Sequence, residues 1–64
     1  MTPHQIIELA AQLIREHGDK ALEVAEERRD QFALAPHSDA HRAWSRIAVM
    51  TARLLKAREM EPIR

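Results

Sequence analysis

Cysteine and tyrosine are absent from the 64 residues, and glycine, tryptophan and phenylalanine occur once each. Without cysteine there is neither a disulfide framework nor a thiolate zinc site, and nothing points to an oxidising compartment. A single glycine leaves no glycine-rich phosphate loop. Few β-branched residues and no alternating apolar pattern leave no case for strands. Charge of one sign is not in excess either, because ten Lys plus Arg balance ten Asp plus Glu, so overall charge calls for neither a polyanion nor a membrane surface. Apolar runs are only a few residues long, and the N-terminal residues show no basic leader followed by an apolar block. The expectation is a cytoplasmic protein with no signal peptide and no membrane span.

What remains is a single domain, residues 1–64, with helical periodicity throughout. Thr2, Pro3 and Gln5 make a helix start: the threonine can cap, proline suits the first turn, and glutamine can bond back to the cap. Ile6, Ile7, Leu9, Ala10, Leu13 and Ile14 share a broad side opposite Gln5, Glu8, Gln12, Arg15 and Glu16, which predicts a helix over about 3–17. His17 then reads as the last turn and Gly18 as its left-handed terminator. Asp19 can cap a second helix over about 20–34. This helix sets a thin, alanine-rich stripe of Ala21, Val24, Ala25 and Phe32 against an acidic side of Glu23, Glu26, Glu27 and Asp30. Pro36 should end it. Ser38 or Asp39 should cap a third helix over about 39–60, closed by Pro62.

The third helix is the most informative segment. Its apolar side carries Trp44, Ile47, Ala48, Thr51, Leu54 and Leu55, while Arg42, Arg46, Arg53 and Lys56 fall in a wedge of roughly 80° on the other side. So wide an apolar side needs two neighbours. A chain this short buries only about 60% of its unfolded surface, and oligomerisation is a common remedy. The expected fold is therefore all-α: a three-helix bundle, with a helical hairpin packed on the longer third helix and the core completed by dimerisation. The expected interface is Trp44, Ile47, Met50, Leu54 and Leu55, with Arg28 setting register.

Arg28 falls between Ala21, Val24 and Phe32 on a helical wheel. Its stem should pack on apolar surface while its guanidinium reaches water, meets a carboxylate of a neighbouring helix, or pairs with an acidic group of a partner chain. Arg58 raises the same question nearer a helix end. Trp44 reads as core or interface, not as a stacking platform for a ligand.

Charge is segregated along the chain. Residues 37–64 carry six cations and three anions, residues 19–36 three and five, and residues 1–18 one and two. A negative middle can attract a positive end within one fold or between copies. The same Arg42, Arg46, Arg53 and Lys56 stripe is also the candidate for phosphate contact, which makes a small nucleic-acid-binding regulator the alternative reading.

No residue pattern supports catalysis. Ser38 and Ser45 have no carboxylate and histidine at suggestive spacing, and the acidic side of the second helix lacks the Glu-x-x-His pairs of di-iron bundles. His37 and His41 are four apart, yet the carboxylate of a His-Glu-x-x-His motif is missing and His37 precedes the expected cap. The expectation is no catalytic, metal or cofactor residues, and a non-enzymatic protein-interaction or regulatory module, a homodimer or bound to another protein.

His17-Gly18-Asp19, Ala21, and Trp44 with Ile47 and the later leucines together give a pattern that resembles short helical proteins of proteobacteria. These share a His-Gly-Asp helix break followed by a Trp-x-x-Ile helix. The resemblance implies a small bacterial helical domain with no assigned activity and transfers no functional residues.

Overall fold

A computed structural model describes residues 2–34 and 38–59, and within them the chain is all-helical. Helix α1 spans Pro3–His17, a 3₁₀ turn Gly18–Lys20, helix α2 Ala21–Asp30 and helix α3 Asp39–Glu59. The expected terminators Pro36 and Pro62, together with His37 and Met60, lie outside the described residues.

The start of α1 follows from its first residues. Thr2 Oγ1 accepts from the Gln5 N–H at 3.2 Å, and Gln5 Oε1 accepts from the Thr2 N–H at 2.9 Å, a reciprocal box that satisfies two donors the helix leaves free. Its end needs glycine for a different reason from the one expected. Gly18 has φ 59° and ψ −131°, outside the left-handed helical region and in a region open only to residues without Cβ. Its N–H still bonds the Ile14 carbonyl. Asp19 does not cap α2. Residues 18–20 already turn in a 3₁₀ helix, the Ala21 N–H finds the Gly18 carbonyl, and Lys20 holds the cap position with no side-chain bond. The chain enters α2 without leaving helical geometry, so a side-chain acceptor has little to do there.

Helix α2 is shorter than its periodicity predicts, ending at Asp30. Beyond it the bonds tighten to i→i−3, from Phe32 N–H to the Arg29 carbonyl and from Ala33 N–H to the Asp30 carbonyl, both 3.0 Å. Asp30 puts an anion at the negative end of the helix, and Leu34 packs on nothing at 103% exposure. Helix α3 starts as expected, with Ser38 Oγ accepting from the His41 N–H at 3.1 Å. Its 21 residues make it roughly 32 Å long.

Helices α1 and α2 both lie against α3 and touch each other less. The buried apolar side chains are Ile6, Ala10, Leu13, Ala21, Ala25, Ile47 and Ala48. Four of these seven are alanines, which lets helix axes approach but contributes little apolar area per residue. Among the described residues Thr51 is the buried polar one, and its hydroxyl donates to the Ile47 carbonyl at 2.7 Å, so its burial costs no unpaired group. Leu9, Ile14, Leu22, Val24, Trp44 and Met50 pack around this centre while half-buried.

Candidate interaction surface

The residues read from the sequence as an interface do not share one environment. Ile47 is 1% exposed and belongs to the core of the chain itself. Trp44, Met50, Leu54 and Leu55 are half-buried. Leu54 and Leu55 are neighbours in sequence and therefore about 100° apart around α3, so they sit on opposite flanks of the line through Ile47 and Thr51.

Arg28 is exposed, not enclosed in the α2 stripe. Its guanidinium carbon stands 5.2 Å from the centroid of the Trp44 ring, and no described carboxylate pairs with it. Within the chain its guanidinium thus reaches out of the α2 stripe and makes a cation–π contact that joins α2 to α3. Such a contact at an exposed site contributes about 0.5–1 kcal/mol. Arg28→Ala should destabilise the fold by that amount in urea unfolding followed by circular dichroism, and Arg28→Lys by less; an unchanged midpoint for the alanine variant would show the contact to be inert.

Arg42, Arg46, Arg53 and Lys56 are all exposed. Among the described residues the ion pair is Arg29 with Asp30 at 3.2 Å, and His4 Nε2 lies 2.8 Å from Glu8 Oε1, each contact within one helix. The basic stripe is therefore not neutralised by the acidic side of α2. Lys56 comes nearest to that arrangement, lining a shallow depression with Glu23, Glu26 and Leu55. Arg58, at the C-terminal end of α3, is exposed. No group of three or more potential metal-binding side chains occurs among the described residues. His41 is half-buried, and His37 lies outside the described residues.

The feature missed by sequence reasoning is apolar and lies inside the cationic wedge. Val49 is 53% exposed, and with Pro3, Ile6, Ser45 and Met50 it lines a groove of about 370 Å³ between the start of α1 and α3, flanked by Arg46 and Arg53. Ile6 and Arg46 also line an adjoining, more polar depression together with Asp39 and Arg42. The signal is present in the sequence: Val49 projects inside the wedge that contains the four cations, between Lys56 and Arg42.

No described helix is long and apolar enough to cross a membrane. No family model, curated protein or solved structure matches the chain.

Proposed function

We propose that this chain is a small, non-enzymatic helical association module, a three-helix bundle whose apolar surface is completed by a second copy through α3. The observation that carries this reading is the imbalance on α3 itself. Of its large apolar side chains outside the cationic wedge, only Ile47 is closed off, while Trp44, Met50, Leu54 and Leu55 stay half-open. Across the described chain the enclosed large apolar residues are Ile6, Leu13 and Ile47. A core of three large side chains and four alanines is thin for a 64-residue fold, and covering the half-open flanks of α3 by self-association adds apolar burial without new chain.

Leu54→Asp tests this directly. An unpaired neutral polar group in an apolar contact already costs about 1–3 kcal/mol and a carboxylate costs more, so the variant should associate at least about fivefold more weakly in sedimentation equilibrium. An unchanged solution mass would remove Leu54 from any interface.

The second reading, a small nucleic-acid-binding regulator, is favoured by the four exposed cations, which have no carboxylate within 4.0 Å among the described residues. If all four contacted phosphates, the logarithm of duplex affinity would fall against the logarithm of salt concentration with a slope of about −3.6. No mobility shift at low salt would dismiss this reading and leave the first intact.

A further inference from the structure

We propose that the groove between the N-terminus of α1 and α3 docks an acidic amphipathic helix of a different protein. This deepens the association reading by giving it a second surface and a partner chemistry. The floor is apolar, formed by Pro3, Ile6, Val49 and Met50, with Val49 more than half open. The rim is cationic. Arg46 and Arg53 are exposed, and neither has a carboxylate within 4.0 Å among the described residues. They are seven residues apart, which is two helical turns or roughly 10.5 Å along the axis. Two carboxylates seven residues apart on a partner helix present the same spacing, and apolar residues three and four positions along point at the floor between them. The end of the groove at Pro3 adds positive field, because the first turn of α1 contains no acidic residue to offset the helix dipole.

Charge decides against the other occupants. If a second copy paired two-fold about Val49, Arg42 would face Lys56 of the other copy, and Arg46 and Arg53 would be pressed against the same basic stripe, which is repulsive. The acidic row of α2, Glu23, Glu27 and Asp30, is no substitute, since within Ala21–Asp30 no apolar side chain lies on that face to reach the floor. A nucleic acid would find the arginines, but phosphates gain nothing from valine and methionine between them. The aromatic ring that could stack a base, Trp44, is engaged by Arg28.

The test uses the full chain and a designed, fluorescently labelled helical peptide with two glutamates seven apart and leucines three and four positions after the first. Anisotropy should show saturable binding. The R46E/R53E variant should bind at least about tenfold more weakly and should prefer the peptide in which lysines replace the glutamates. Val49→Asp should also weaken the glutamate peptide. All three positions are exposed, and circular dichroism of the variants checks that they remain folded. No binding by the parent chain, equal binding by R46E/R53E, or equal binding of a scrambled peptide of the same charge would each overturn the proposal. So would capture of duplex DNA or anionic lipid vesicles through the same arginines with no response to the peptide. Sedimentation of the same samples separates the two readings: self-association without peptide binding removes the groove partner alone, and peptide binding by a strict monomer removes the self-association alone.

Discussion

Ile47→Ala is expected to lower the unfolding free energy by about 2–5 kcal/mol, the cost of removing three buried carbons and leaving a cavity that the helices only partly fill. Ile47 is 1% exposed at the centre of α3, in one apolar cluster with Ile6 and Leu13 of α1 and Ala21 and Ala25 of α2. A domain of this size rarely holds more than about 3–5 kcal/mol in its core, so the variant should be largely unfolded at room temperature. Ile47→Val, which removes one methyl group, should cost only about 0.5–1.5 kcal/mol and stay folded. The comparison also separates core from interface. An intrachain core residue weakens the fold at every protein concentration, whereas a residue used only between copies weakens it through the association equilibrium. Urea unfolding of both variants at two concentrations reads the difference, and a parent-like midpoint for Ile47→Ala would contradict the packing described for α3.

Gly18→Ala is expected to cost about 1–3 kcal/mol, entirely through the backbone. A Cβ built on Gly18 meets nothing within 4 Å, so crowding plays no part. The penalty comes from φ 59° with ψ −131°, a combination that an L-residue enters only with strain. Two controls sharpen the expectation. Gly18→Asn should give little rescue, because asparagine tolerates the left-handed helical region and this ψ lies far from it. D-alanine at position 18, introduced by chemical synthesis, mirrors the preference and should match the parent or exceed it by up to about 1 kcal/mol through a less disordered unfolded chain. Equal thermal midpoints for the glycine and L-alanine proteins would show that the helix break does not depend on this conformation.

The parts of the fold legible in the sequence were those fixed by short-range chemistry. Thr2, Pro3 and Gln5 marked the start of α1 because the capping box involves residues three apart, and Ser38 marked the start of α3 for the same reason. Gly18 marked the break, although its backbone conformation could not be read from residue type. Asp19 misled, since whether a cap is needed depends on the geometry by which the chain enters the helix, and a 3₁₀ turn removed the need. The end of α2 was placed late because apolar spacing continued through Phe32, while the tightened bonds beyond Asp30 follow from a thin stripe with little packing to hold a full turn.

The surface was harder to read. A helical wheel places Arg28 within an apolar stripe, but a wheel knows nothing of where the neighbouring helix lies, and the guanidinium stands over the ring of Trp44 instead. Ile47 looked like one more member of a broad apolar side, yet the crossing of α1 and α2 closes over it and leaves the flanks open. Val49 was hidden by its company: four cations on the same side made the wedge look wholly polar, and only the position of Pro3 and Ile6 beside it turns an exposed valine into the floor of a groove.

The most direct measurement is sedimentation equilibrium of the parent chain, loaded from dilute to concentrated, with thermal unfolding of the same samples. Self-association through the half-open flanks of α3 predicts a mass that rises above the 7.4 kDa of one chain towards a multiple of it, and an unfolding midpoint that climbs with concentration. A constant 7.4 kDa species, with one midpoint at every loading, would contradict it.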